Sequence, residues 1–250
     1  MLKRQCLILW LLVCCASFSS ASMAGTQLAS SVSTSIAASP SRIQASYELL
    51  KAGVTGAIIN ETYTRTKDRY RIESVTRAVG LLALFKPETI TVISEGVVTA
   101  KGLRPHMFTT KRELDSERNS SAELDWNAGR VTLNDRNGKR AAPLPAGTQD
   151  RLSAMYQFMF LPLKNTALDF YMTNGSKVDI YNYEVTPGQS VKVPLGTFPA
   201  LYVASTPKEG ESRTEIWVAS EHINFPYKMT ITDPDGGKLT QVLTRFELTP

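Results

Sequence analysis

The sequence predicts a mainly β protein, with a large curled antiparallel sheet forming a half-barrel or open barrel around one main helix packed in its concavity. Three observations carry this. Short runs alternate apolar and polar residues with period two. Turn signals separate neighbouring runs by only a few residues. One later segment changes to helical spacing. About ten or more strands are expected, and a sheet that wide must curl, split or close. A two-sheet sandwich is the second architecture the pattern allows.

The elements follow in order. Lys3 and Arg4 precede the apolar run Leu7 to Val13, and small residues follow, with Ser22-Met23-Ala24 suited to cleavage. This predicts a signal peptide over 1–24. Cys6, Cys14 and Cys15 all fall inside it, so the mature chain is expected to fold without disulfides. The apolar run is too short for a bilayer, which takes roughly 20 residues, and no later run approaches that length. No transmembrane span is expected in the mature chain. Residues 25–41, rich in Ser, Ala and Thr, lack the large apolar side chains that offset ordering entropy and are expected to form a flexible leader. Residues 42–250 are expected to form a single β-rich domain, long enough for a substantial core.

Within that domain, Tyr70 and Ile72 alternate with Arg69, Arg71 and Glu73. A short helical turn is expected at Val79 to Phe85, before Lys86-Pro87. Ile90 and Val92 alternate with threonines, and Val131 and Leu133 with Thr132 and Asn134. Asp135 to Gly138 is a hairpin turn. From Thr148 to Leu161, Leu152, Met155, Tyr156 and Met159 fall at helical spacing. Thr148 can cap that helix, Asp150 suits its first turn and Pro162 stops it. Thr173 to Ser176 joins the strand ending at Met172 to one in which Val178 and Ile180 alternate with Lys177 and Asp179. Tyr227, Met229 and Ile231 alternate with Lys228, Thr230 and Thr232. Asp233 to Gly237 turns the chain into a long last strand, Leu239 to Leu248, whose alternation shifts partway as at a bulge.

The net charge is +5, and it falls by two if Lys3 and Arg4 are removed. Basic residues are scattered, without the aromatic-studded stripe of a nucleic-acid binder, so no nucleic-acid partner is expected. The two histidines, His106 and His222, have no second ligand at metal spacing, and no cofactor or metal site is expected. No Gly-x-Ser-x-Gly elbow or glycine-rich phosphate loop is present, so no catalytic residue can be assigned.

Seven residues are candidate ligand contacts. Arg151, beside Asp150, has the planar fork to grip a carboxylate or phosphate. The structural alternative has Asp150 completing the helix start and Arg151 pairing with a strand carboxylate such as Asp125. Trp126 either lines a cavity or plugs the sheet end. Met155, Phe158 and Met159 make the helix greasier than one buried stripe needs, which suits an adaptable pocket and equally suits burial on two sides. Trp217 lies on a predicted strand near a Pro-containing turn.

Several phrases taken in order carry a resemblance. They are Gly80-Leu81-Leu82-Ala83-Leu84, Gly102-Leu103-Arg104-Pro105, Leu124-Asp125-Trp126, Gly129-Arg130-Val131-Thr132, Gly147-Thr148-Gln149-Asp150-Arg151-Leu152-Ser153, Pro194-Leu195-Gly196-Thr197, Glu215-Ile216-Trp217-Val218-Ala219 and Phe225-Pro226-Tyr227-Lys228. The chain from Tyr47 to Phe246 thereby resembles the bacterial exported family known as domain of unknown function 3108. The resemblance implies a periplasmic protein and carries over no activity. Glu215 to Lys228 is also similar to the lipoprotein-carrier half-barrels, an analogy of architecture only.

These features together point to a non-enzymatic periplasmic binding or scaffold protein for an apolar or amphipathic ligand, such as a lipid, or for an envelope partner. The alternative is a cell-envelope hydrolase using carboxylates or Ser153. A third expectation is a structural module that binds a partner through a sheet edge.

Overall fold

A computed structural model describes residues 39–163, 167–221 and 223–250. The expected signal peptide, its three cysteines, the leader up to residue 38, and His222 lie outside the described residues.

The chain lays down β1 (Arg42–Lys51), β2 (Val54–Thr66), β3 (Arg69–Ala78), the short helix α1 (Gly80–Phe85), β4 (Thr89–Thr99), β5 (Gly102–Arg112), β6 (Ser120–Asp125), β7 (Arg130–Asp135) and β8 (Gly138–Pro143). The two-residue strand β9 (Gln149–Asp150) leads into α2 (Ser153–Gln157), whose end tightens to a 3-10 turn at Phe158–Phe160. Then come β10 (Ala167–Thr173), β11 (Val178–Val193), β12 (Gly196–Ser205), β13 (Arg213–Ala219), β14 (Phe225–Thr232) and β15 (Lys238–Thr249).

All fifteen strands belong to one sheet, ordered β8 to β1, then β15 down to β9. Every pairing is antiparallel except β9 with β10, which is parallel. The middle of the sheet is where β1 pairs with β15, Arg42 opposite Thr249. The short loops read from sequence explain this order, because each connects neighbouring strands.

The ladder does not close into a ring, yet the two ends of the sheet meet through side chains. Ser120 Oγ on β6 donates to the Asn174 carbonyl at 2.9 Å, and Arg140 on β8 donates to the Ser176 carbonyl. Gln149 Nε2 on β9 donates to the Leu103 carbonyl on β5 at 2.8 Å. The hairpin tip can come this close because residue 175 is glycine: a Cβ there would sit 2.7 Å from Ser120 Oγ.

Period-two alternation sets the inward face. Ile43, Ala45 and Tyr47 on β1, Ile59 and Tyr63 on β2, Tyr70 and Ile72 on β3, and Val131 and Leu133 on β7 are all buried. They join Phe225, Tyr227 and Leu243 in the larger core cluster. A second cluster gathers Phe158, Phe170, Tyr183, Val203, Ile216 and Val218, mostly from β10 to β13. The phase shift in the last strand is a bulge: Ser46 faces Arg245 but Tyr47 faces Leu243, leaving Thr244 extra.

Two expectations need correction. In β11 the inward residues are Tyr183 and Val185, while Ile180 is 45% exposed. Phe170 lies 6.1 Å from Tyr183, ring to ring at 73°, and packing of these larger rings fixes the phase that Ile180 would have reversed. The helix expected from Thr148 to Leu161 is also shorter. Asp150 is held in a strand opposite Thr173, so the helical segment begins only at Ser153.

Candidate functional site

Helix α2 is pinned at both ends. Asp150 Oδ1 accepts the N–H groups of Leu152 at 2.9 Å and Ser153 at 2.8 Å, and Ser153 Oγ accepts the Asp150 N–H at 2.9 Å. This is a reciprocal cap, with Asp150 in the capping position that sequence gave to Thr148. Thr148 instead donates its hydroxyl to the Pro145 carbonyl at 2.7 Å. The other oxygen of Asp150 accepts the Ser94 hydroxyl at 2.6 Å, and the Tyr70 hydroxyl completes the chain at 3.1 Å from Ser94 Oγ. Asp150 is fully buried, and burial lifts its carboxyl to about 6 against the pull of these donors. At the far end Gln157 Oε1 accepts the Leu103 N–H at 2.7 Å and Nε2 donates to the Lys101 carbonyl at 2.8 Å. Gly102, at φ +99°, leaves room for that clamp: a Cβ would meet Gln157 Oε1 at 2.4 Å.

Held this way, α2 stands off β1, β2 and β14 and leaves a cavity of about 150 Å³. Its apolar wall is Val92, Leu152, Met155, Phe225, Pro226 and Met229. Glu61, Ser74, Tyr47 and Tyr156 supply the polar groups, and Arg151, Lys228 and Gln241 complete the lining. Glu61 Oε1 accepts the Ser74 hydroxyl and Oε2 accepts the Tyr156 hydroxyl, each at 3.1 Å. Burial raises the Glu61 carboxyl to about 7, with these two hydrogen bonds opposing the rise. Tyr47 donates to the Pro226 carbonyl at 3.1 Å, and its own acidity is suppressed by burial and by the nearby Glu61. Behind the cavity the rings of Tyr63 and Tyr156 stack at 5.6 Å, and Phe225 meets Tyr156 edge-on at 5.4 Å.

The result is an apolar pocket with one carboxyl that changes charge near neutrality. Charged, Glu61 can accept a further donor; neutral, it can donate. Arg151 is exposed and makes no ion pair among the described residues, so its fork is free at the solvent side.

Of the seven candidates, Arg151 and Met155 line this cavity. Asp150 builds it without facing it. Phe158 is packed in the second core cluster, edge-on to Phe170 at 5.9 Å, and Met159 packs on the larger cluster. Trp217 approaches the site through Lys228, whose ammonium lies 4.6 Å from its ring centre. Trp126 is remote from it, donating its indole N–H to the Pro105 carbonyl at 2.7 Å beneath the Arg104 guanidinium. The expected Arg151–Asp125 pair does not form: Asp125 Oδ1 accepts the N–H groups of Asn127 and Ala128 and so shapes its own turn.

Sequence reasoning missed Glu61, Tyr47, Ser74 and Tyr156 as site residues. The signal was present in phase. Glu61 follows Ala57 and Ile59 and precedes Tyr63 at inward positions of β2, and Ser74 follows Tyr70 and Ile72 on β3. A carboxylate at a core position of an alternating strand marks a buried polar site.

Ser153 is fully buried and its hydroxyl is engaged in the cap, where it also donates to the Asp150 carbonyl at 3.2 Å. His106 lies on an outer groove with Arg69 and Arg71; partial burial, then Arg104 and Arg69, lower its pKa. Among the described residues no group of three or more His, Cys, Asp or Glu could hold a metal ion, and no helix is long and apolar enough to cross a membrane.

Comparison with known proteins bears on family and fold. The family model described as a protein of unknown function (DUF3108) matches residues 42–244. A solved structure, a beta-barrel-like protein of domain of unknown function DUF1849 from Brucella abortus, is similar at TM-score 0.53 and 14% identity. The match covers 84% of this chain and 99% of that one. At that identity the likeness concerns the fold alone. No curated protein matches the chain.

Proposed function

Taking as premise that this chain belongs to the family of proteins of unknown function DUF3108, we propose that it is an exported, non-enzymatic binding protein of the bacterial cell envelope. Its ligand is an amphipathic molecule whose apolar end enters the cavity under α2. The cavity carries this reading, with an apolar wall, a titrating carboxyl and a free guanidinium at its solvent side. Export rests on the signal-like segment at residues 1–24.

Size narrows the ligand. A cavity of about 150 Å³ matches those that hold one benzene-sized molecule. A ring or the end of a chain fits, and a whole long acyl chain does not. Arg151 and Lys228 favour an anionic group left outside, with Glu61 contacting a polar atom within.

Native mass spectrometry of protein taken from the producing cell tests this. A bound small molecule is expected with the wild-type chain and absent from Met155→Trp, which fills the cavity. Bare polypeptide in repeated preparations, or a ligand retained by Met155→Trp, would overturn the proposal.

A further inference from the structure

Helix α1 presents its apolar side chains to solvent. Leu81, Leu84 and Phe85 are 75%, 78% and 85% exposed, Leu82 is 47% exposed, and no residue of the helix is buried. At about 100° per residue these four positions cover an arc of about 160°. Core formation does not explain them.

The helix is nonetheless tied to the sheet. The Val79 N–H donates to the Gly56 carbonyl at 2.9 Å, Ala78 to Glu88 at 3.2 Å and Lys86 to Leu82 at 2.7 Å. Leu82 rests on Gly56, where a Cβ would sit 3.4 Å from its methyl carbon. The backbone just before the helix is fastened to β2 and to the residue preceding β4.

Strand register places more apolar surface at the same end. Lys51 pairs with Val54 across the β1–β2 turn, and Val54 is 70% exposed. The Glu113 N–H reaches the Thr89 carbonyl, which brings Leu114, 61% exposed, to the other side of α1. The apolar tips thus span three adjacent connections at one end of the sheet.

Their charged surroundings favour one occupant. Lys51, Arg77 and Lys86 are exposed around α1. Of the nearby acids, Glu88 pairs with Arg112 at 3.1 Å and with Lys86 at 3.8 Å, Glu48 accepts the Thr55 hydroxyl at 3.0 Å, and Glu113, beside Leu114 and on the far side of α1 from Lys51, is exposed. Apolar tips flanked by Lys51 and Arg77, on a chain that keeps a positive charge after Lys3 and Arg4 are removed, match an anionic lipid surface. The broad arc also suits a medium that is apolar on every side.

We propose that α1, with the neighbouring turns at Val54 and Leu114, is a wedge that docks this protein on an anionic bilayer. Leu81, Leu84 and Phe85 enter the boundary between headgroups and acyl chains, while Lys51 and Arg77 contact phosphate groups. This surface is separate from the cavity, so either proposal can fail alone.

The test uses the full chain and vesicles of phosphatidylethanolamine with phosphatidylglycerol. Wild type is expected to co-sediment with them, less so at high salt, and only weakly with phosphatidylcholine alone. Leu84→Glu/Phe85→Glu changes only exposed side chains and is expected to keep its thermal midpoint while losing at least about tenfold in partition. Phe85→Trp is expected to add emission that shifts to the blue and is quenched by brominated lipid. Equal binding by wild type and Leu84→Glu/Phe85→Glu, or no quenching at position 85, would overturn the wedge. So would a wild-type dimer that the double variant dissolves, which would assign the patch to a second copy of the chain.

Discussion

The Tyr156 hydroxyl donates to Glu61 Oε2 at 3.1 Å, joining α2 to β2 across 95 residues of sequence. It is the one direct hydrogen bond from the helix to the carboxyl of the cavity. The bond and the acidity of Glu61 are therefore coupled.

Tyr156→Phe removes that donor without changing the ring stack. A hydrogen bond to a charged acceptor is worth about 1.5–3 kcal/mol and one to a neutral acceptor about 1 kcal/mol. The variant should lose more stability at pH 8 than at pH 5. Urea denaturation at both values measures this, and an equal loss at both would refute the coupling.

Stability should fall as pH rises through neutrality. Glu61 titrates at about 7 and Asp150 at about 6 in the folded protein, against unfolded values of 4.5 and 3.8. Between those limits the native state binds more protons than the unfolded state, so its advantage is largest below the unfolded values and is lost as pH climbs. A loss on the order of 1–3 kcal/mol per group is expected between about pH 4 and pH 8. Glu61→Gln should flatten the profile and match or exceed wild type at pH 8. A profile as steep as wild type in Glu61→Gln would contradict the assignment.

Asp150→Ala removes the cap and leaves Ser94 and two N–H groups without their acceptor. The expected cost is about 2–4 kcal/mol. Asp150→Asn keeps one acceptor oxygen and should lose about half as much. Thermal melts of the pair decide it, since a loss no greater for Ala than for Asn would show that the cap carries little.

Gly102→Ala should act at a distance. Its Cβ would displace Gln157, and with it the clamp on the end of α2, at a cost of about 2–3 kcal/mol. Gly129→Ala, at φ +61° with open space around it, should cost only about 1 kcal/mol. Hydrogen exchange should quicken in α2 for the first variant and not for the second.

Much of this arrangement was legible because a strand with one buried face writes its period into the sequence. Tyr70, Ile72, Val131 and Leu133 show it, and the turns at Asp135, Thr173 and Asp233 fall where short loops join neighbouring strands. The bulge at Thr244 showed as a change of phase. The helix was harder, because Asp150 has a cap's side chain and a strand's backbone, and only the pairing with Thr173 decides between them. The cavity was less legible still. Glu61 and Tyr156 meet only through long-range packing, and Glu61 is recognisable only once the inward phase of β2 is known.

The adjacency of β1 and β15 bears on how the polypeptide matures. The earliest strand waits for the latest before the centre of the sheet exists, so a chain halted before residue 238 leaves two separate wings, each with a raw margin open to stray pairing. The central junction of the sheet must follow synthesis of β15. Conversely, Ser41 and Thr249 lie one hydrogen bond apart, at 3.0 Å. A short bridge between them, with a new opening cut at Asn137-Gly138, should yield a rewired molecule whose two wings meet without that delay.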